Sequence, residues 1–508
     1  MIILHGRDGT KNPIRRAATA PDLSPRAAVS IDAANPGTGR PTRTISTDTV
    51  RRQVNHSDWR RLLSDSRALY LNFGPVKGAV VDKAIYSVGR AWQPVFAGKD
   101  KAWGEEATEW LRHQWYGTAD IAGGMHDLVT DLLLISIAID RDGDCGILLT
   151  GSGDYPQIQL IGAERIQGTQ AKIASGPYAG LTLDKGVVYG PTGRPVGYRI
   201  LSDPPSSQGV PEERWVSARD MIHAYDPEWF AQGRGLPAFT HALLDLHDLQ
   251  MTQGFEKRAA LIASSIGLIE HNDSGQPDPS DPAFALRTDT EGNATGVVVE
   301  TLEGGTIRYL RSNSGAKLEA LTSNRPTQNW DAFMNRLLRN ALVGVGWPYE
   351  LTWTAEQIGG ANIRMVIGKA MRTVEDRQDL LRGIFRRVIG YGVAKAIKGG
   401  MLAASDDWYR WDFTLPERMT VDYGREAQQD REDYIIGAKT LQDLIGPRAS
   451  VEEHLRVRAR EEQLILAIAD EFGIDPERLR SLARPVAAQA STEEPEPEPP
   501  PKKDRKAE

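Results

Sequence analysis

Val345-Gly346-Trp347-Pro348-Tyr349-Glu350-Leu351-Thr352 is the stretch on which the reading of this chain turns. Before it, Thr327 to Val345 sets Trp330, Phe333, Met334, Leu337, Leu338, Ala341 and Val345 on one helical stripe, and Gly346 and Pro348 stop that helix. After it, Tyr349 to Asn362 reads as a loop. Ile363 to Lys398 then reads as a long helix that ends at Gly399-Gly400, with Lys395 and Lys398 in its last turn, where cations suit the helix dipole. The long helix is basic, with nine Lys/Arg against three Asp/Glu.

Working upstream, Pro237 to His271 is nearly free of breakers, and Met251, Phe255, Ala259, Ile262, Ile266 and Ile269 recur at spacings of four and three. This predicts one helix of about 50 Å at 1.5 Å per residue, weakened at Gly254 and Gly267. Between the two helices, Asn272 to Pro282 is rich in Asp, Ser, Pro and Gly, and short β-like runs at Gly296 to Leu302 and Thr306 to Leu310 flank Glu303-Gly304-Gly305. That pattern predicts a small β-rich insertion with a hairpin. Further upstream come helices at Gly78 to Gly89, Ala102 to Tyr116 and Gly124 to Ile137, then strands at Gly146 to Thr150, Gln157 to Ile161, Gly186 to Tyr189 and Val196 to Leu201. The fold class is therefore α+β. Downstream, Thr420 to Leu482 reads as short helices with start signals at Thr440-Leu441-Gln442-Asp443, Ser450-Val451-Glu452-Glu453 and Asp475-Pro476-Glu477.

The 508 residues carry 61 Lys+Arg, 68 Asp+Glu, a net charge of −7, one cysteine and 40% apolar residues. These values predict a soluble intracellular protein, and a length of this order predicts roughly three or four units. One thiol, Cys145, forms no intrachain disulfide, which excludes an extracellular disulfide scaffold. The best apolar run, Leu128 to Ile139, is broken by Asp131, so no membrane span is expected, and Met1 to Arg7 does not read as a secretory signal. Residues 1–65 read as a basic, partly disordered arm; through residue 67 the count is twelve Lys/Arg to six Asp/Glu. Residues 485–508, with Glu494-Pro495-Glu496-Pro497-Glu498, read as a disordered tail.

Catalytic signatures are missing. There is no Gly-x-x-x-x-Gly-Lys-Ser/Thr, since Gly368-Lys369 lacks the upstream glycine; His-Glu-x-x-His, Gly-x-Ser-x-Gly and paired Cys-x-x-Cys are absent too. Asp140-Arg141-Asp142-Gly143-Asp144-Cys145-Gly146 starts like a calcium loop, but its sixth position is Cys145 and its twelfth is Gly151, so a turn into a strand is the better reading. His241 and His247 stand six apart and do not share a helix face well. No enzyme, metal or cofactor is expected.

The order of parts, with Glu303 to Leu310, Asn329-Trp330-Asp331-Ala332-Phe333 through Ala341, Val345 to Thr352, Gly359 to Arg364, Trp411-Asp412-Phe413 and Thr420 to Ala427, resembles the lambda-like family of phage portal proteins over about residues 65–485. Asp422-Tyr423 stands where that family commonly has Asp-Pro. The resemblance implies a ring, commonly of twelve copies, at one capsid vertex of the virion, assembled in the host cytoplasm. Double-stranded DNA would pass along its axis, driven in by the terminase large subunit and ejected later. Major capsid and scaffold proteins, and then head-completion or tail connector proteins, would be its other partners. It further implies a wing (66–236 and 363–419), stem helices (237–271 and 327–346), a clip (272–326), a tunnel loop (347–362) and a helical crown (420–484).

On that pattern Trp353, Glu356, Gln357, Asn362, Arg364 and Lys369 would face the channel. Phe255, Ile262, Ile266, Phe333 and Leu337 would pack subunits in the stem, and Asp278, Asp281, Glu300 and Glu303 would form the clip's partner surface. Two rivals stand beside this. A sequence-independent DNA-binding protein outside any capsid would bind as a monomer or dimer with strong salt sensitivity. A hydrolase built on Cys145 or His223 would be sensitive to thiol reagents or His substitution.

Overall fold

The computed structural model of the chain describes residues 3–5, 11–13, 51, 54–90, 92–122, 126–202, 212–272, 299–302, 305–311, 317–319, 328–354, 360–416, 418–419, 423–445 and 451–483. It divides into two compact units, Met1–Tyr423 and Gly424–Glu508, rather than three or four. The reason lies in the long helix, Gly360–Lys398, which supplies buried residues to two neighbouring cores of the first unit and so joins what length alone would count separately.

The α+β expectation holds, with corrections at both ends of the first unit's α/β part. A helix, His56–Asn72, begins inside the segment read as an arm. Asn55 caps it by accepting the Asp58 N–H at 2.8 Å, and Trp59, Leu62, Leu63, Ser66 and Leu69 are buried at helical spacing. The basic count concealed this stripe, because Arg60 and Arg61 lie on the exposed side. Most of the remaining arm, and the 485–508 tail, lie outside the described residues. Helices Gly74–Val88, Lys101–Trp110 and Leu128–Asp142 follow; the second continues as a π turn, Leu111–Trp115, and the third is capped by Asp127, whose carboxylate accepts the Thr130 N–H at 2.8 Å.

Two antiparallel sheets complete this part. One has the order Met221–Tyr225, Asp144–Ser152, Tyr155–Gly162; the other runs Glu213–Ser217, Pro195–Leu201, Val187–Tyr189, Thr182–Asp184, Ala171–Lys172. Trp411–Phe413 returns to pair with Pro94–Phe96. One core gathers Trp92, Trp103, Trp110 and Trp115 around Phe385, Val388 and Ile389 of the long helix. The second packs Trp59, Phe239, Leu338 and Trp347 around Ala370 and Val374 of the same helix.

The acids of the calcium-like string are not metal ligands but three buried ion pairs. Asp140 accepts from Lys83 Nζ at 3.2 Å and from Arg377 Nη2; its Oδ2, and Arg377 Nε and Nη1, have no partner among the described residues. Asp142 takes bidentate bonds from Arg67, both 2.9 Å, and from Arg141, at 2.8 and 2.7 Å. Gly143 lets the chain turn at φ 92°, where a Cβ would come within 2.6 Å of the Leu236 carbonyl carbon. Asp144 then meets Arg234, whose Nε and Nη2 donate to the two carboxylate oxygens at 2.5 and 2.8 Å, and accepts from the Gly235 N–H at 3.0 Å.

Beyond Leu236 the single long helix expected over Pro237 to His271 is three elements: a 3₁₀ turn Thr240–Ala242, a helix Leu243–Ser265 and a strand Ile266–Asn272. Ile266 therefore lies in a sheet and not on a helix, as β-branched Ile266 and Ile269 beside Gly267 favour. That strand pairs in parallel with Gly305–Arg311 and antiparallel with Lys317–Glu319, while Val299–Leu302 forms the expected hairpin with Gly305–Arg311. In the second unit, helices Leu441–Ile445, Val451–Phe472 and Pro476–Ala483 follow the three start signals, and Tyr423–Ile435 forms ahead of them without one. Thr440 and Asp443 close a reciprocal cap, at 2.8 Å from the Thr440 N–H and 3.2 Å from the Asp443 N–H. No helix among the described residues is long and apolar enough to cross a membrane.

Burial alone would push the Asp144 carboxyl up, but the Arg234 guanidinium and the His223 hydrogen bond hold it well below its ordinary value of 3.8. Its stabilisation is present above that value and is lost as pH falls below it. Asp144→Asn strands a buried guanidinium and should cost about 3–5 kcal/mol in denaturant unfolding. Arg199→Ala at the half-exposed Glu213 pair should cost under about 1 kcal/mol. Equal costs would remove the special standing of the buried pair.

Candidate nucleic-acid interface

The helix Gln328–Gly344 buries Met334, Leu338, Ala341 and Leu342 and ends in a tightly held junction. Gly346 takes φ 76°, and the Trp347 N–H returns to the Leu342 carbonyl at 3.1 Å. The Trp347 ring is fully buried and its Nε1 donates to Thr352 Oγ1 at 3.1 Å. Pro348 then opens a short helix, Tyr349–Trp353, where a loop was expected; proline's fixed φ suits that position. Tyr349 is buried, its hydroxyl donates to Asn335 Oδ1 at 2.7 Å, and the Arg339 guanidinium lies 5.0 Å from its ring centre. Thr373 Oγ1 donates to the Gly346 carbonyl at 2.8 Å, which ties the junction to the long helix.

What this anchor presents is exposed. Trp353 is about half-exposed, and Glu356 and Gln357 lie outside the described residues. The long helix begins at Gly360, so Asn362 belongs to its first turn and not to a loop. Asn362, Arg364 and Lys369 are exposed, Met365 is 79% exposed, and the first buried residue is Ala370. From Gln357 to Val374 the sequence has no acid, but it has Arg364, Lys369 and a third exposed cation, Arg372. Arg372 was missed from sequence; it stands three after Lys369, which makes the two neighbours on the helix surface, and about two turns beyond Arg364. The signal that could have found it is the length of the acid-free run.

The residues expected to pack subunits divide. Phe255, on Leu243–Ser265, is 60% exposed and Phe333, on Gln328–Gly344, is 51% exposed, with Met251 and Leu261 also exposed. Leu337 is half-buried against the second core of its own chain. Ile262 lies in the helix with its side chain outside the description, and Ile266 lies in the strand already noted. Of the acidic set, Glu300 sits on a strand opposite Ile307, and Asp278, Asp281 and Glu303 lie outside the described residues. Cys145 is buried, and burial together with Asp144 and Asp142 holds its thiol well above its ordinary value, the opposite of an activated nucleophile. His223 is bound to Asp144 at 3.0 Å and packs on Tyr198 and Tyr225.

Comparison with known families settles the larger question: the model of "Phage portal protein, lambda family" matches residues 39–378. The chain belongs to that family. The family is one of structural proteins and not of enzymes. The match ends within the long helix, so the strings at Trp411 to Phe413 and Thr420 to Ala427 lie beyond it. No curated protein matches the chain. Solved structures similar to it include the virion of a native gene transfer agent particle (12% identity, TM-score 0.45, covering 80% of this chain and 94% of that one). Others are the neck of the native particle computed with C12 symmetry (12%, 0.42, 76% and 93%) and the neck of the empty particle computed with C6 symmetry (12%, 0.45, 82% and 96%).

Gly346→Ala forces a side chain into left-handed backbone 3.1 Å from Thr373 Oγ1. It should cost about 1–2 kcal/mol and speed amide exchange through Trp347 to Trp353. Unchanged stability and exchange would show that this turn does not hold the junction.

Proposed function

We propose that the portal protein forms a ring of about a dozen copies at one capsid vertex. Double-stranded DNA enters through its axis under the drive of the terminase large subunit and later leaves the same way. The observation that carries this reading is the exposed, acid-free start of the long helix, with Arg364, Lys369 and Arg372 held out from a buried junction. A channel needs contacts to phosphate that read no base and release readily, and exposed Arg and Lys supply them. Repeating three cations around a ring multiplies the local field without deepening any single contact.

Ring closure uses two different faces of each copy, so apolar groups with no partner in one chain are expected on it. Phe255 and Phe333 fit that need, on the helices read as stem. The sheet that includes Glu300 would be the clip, where, with Asp278, Asp281 and Glu303, it would meet terminase and then the head-completion or tail connector proteins. Major capsid and scaffold proteins would contact the ring's outer parts during assembly in the host cytoplasm.

Native mass and negative-stain imaging of the purified chain test the architecture, and a ring with an axial hole is the expected result. A monomer or dimer that binds DNA in a salt-sensitive way, even with scaffold protein added, would favour a DNA-binding protein outside any capsid. Phe255→Asp with Phe333→Asp should change folding stability by within about 0.5 kcal/mol per site, because both side chains are exposed, yet leave the chain unassembled. Rings from that variant would remove these residues from the subunit contact. Arg364→Glu, Lys369→Glu and Arg372→Glu together should leave rings intact and lower the amount of DNA packaged. They should also flatten the salt dependence of DNA binding by roughly one unit of slope for each lost phosphate contact; an unchanged slope would place the channel's cations elsewhere.

A further inference from the structure

Asp131, in the first turn of the helix Leu128–Asp142, is 1% exposed, and neither of its carboxylate oxygens has a hydrogen-bond partner among the described residues. A buried carboxylate without a counter-charge is costly. Two further donors converge on it. One ligand atom from each of Asp120, His126 and Asp131 lies within 4.8 Å of the others, and His126 Nδ1 stands 3.8 Å from Asp131 Oδ1. Among the described residues no lysine or arginine pairs with either acid. Asp127, though close, is already engaged as the helix cap, accepting the Thr130 N–H at 2.8 Å and its hydroxyl at 2.5 Å.

We propose that Asp120, His126 and Asp131 form a binding site for a divalent first-row transition metal ion. Three atoms no more than 4.8 Å apart fit around a common centre at about 2.8 Å at most, against the 2.0–2.2 Å of carboxylate and imidazole bonds to zinc. His126 is half-exposed and can close that gap by a small movement. Asp120, by contrast, is set in place. Its segment is stitched to the strand Tyr155–Gly162 by the Ile121 N–H to the Ile158 carbonyl at 2.8 Å and the Ile158 N–H to the Ala119 carbonyl at 2.7 Å.

Two carboxylates neutralise a dication, and one imidazole favours zinc over calcium, which takes six to eight oxygens, and over magnesium, which keeps its waters; manganese, which suits the two carboxylates more than the imidazole, is the weaker fit. The exposed side at His126 leaves room for water to complete the coordination. Bound there, the ion would tie Asp120, beside the strand Tyr155–Gly162, to the helix start at Asp131.

The test is calorimetric titration of the chelator-stripped full-length protein with zinc chloride and, separately, manganese chloride, with melting temperature as a second readout. The expected result is one saturable ion per chain and a raised melting temperature. His126→Ala, at an exposed position that leaves folding intact, should weaken binding by about 10- to 100-fold. Asp131→Asn should abolish the response to metal while melting, metal-free, no lower than the unaltered protein, because it removes an uncompensated buried charge. Absence of saturable binding, or equal binding by both variants, would overturn the site. So would a melting temperature that follows pH but neither metal.

Discussion

The first unit depends on one buried guanidinium. Arg234 has five N–H groups and uses all of them: two on the Asp144 carboxylate, and the others on the Ile166 and Lys185 carbonyls, each 2.6 Å away, and on the Ala163 carbonyl at 3.0 Å. Its face lies 3.9 Å from the Trp59 ring centre, and Trp59 Nε1 in turn donates to the Gly235 carbonyl at 3.2 Å. One side chain thus fixes the first helix, the central strand, the second sheet and the chain's departure toward Leu243–Ser265. Lysine could not replace it, since a point charge with three donors cannot satisfy that fork. The cost of burying the charge is offset only because every donor is paired.

Much of the molecule could be read from local pattern. The helical stripes at Phe333 to Ala341 and along the long helix, the caps at Thr440 and Asp475, and the hairpin around Leu302 and Gly305 all follow from neighbours in sequence. What escaped depends on distant partners. Thr182–Asp184 and Trp411–Phe413 are three residues each, too short for a periodic signal, and exist because other strands wait for them. The helix His56–Asn72 escaped because charge counts average over both faces, while the fold uses only one. Ile266 was misassigned because spacings of four and three continued past the residue at which β-branched side chains and a glycine changed the preferred backbone.

The candidate interface was legible as a position more than as a set of side chains. Arg364 and Lys369 are exposed, and Trp353 is about half-exposed. Leu337 shows the limit of stripe reading, because a helical face 100° wide meets both its own core and the outside at its edges. The acids at 140, 142 and 144 teach the reverse lesson. Alternate carboxylates suggest a cation, and cations are indeed present, but they are Arg141 of the string itself and Lys83, Arg67, Arg377 and Arg234 from four other places in the chain.

The two-part burial of the 39-residue helix makes it a lever. Its first ten residues project about 15 Å ahead of Ala370, and Arg377 lies about 10 Å behind that point, at 1.5 Å per residue. A sideways load on the tip at Arg364 therefore turns about Ala370 and arrives as a displacement at the pairing of Arg377 with Asp140 and Lys83. That cluster leaves Asp140 Oδ2 and two guanidinium nitrogens without a hydrogen-bond partner among the described residues. A displacement of Arg377 would be felt first by the helix Gly74–Val88 and the end of Leu128–Asp142, which carry Lys83 and Asp140.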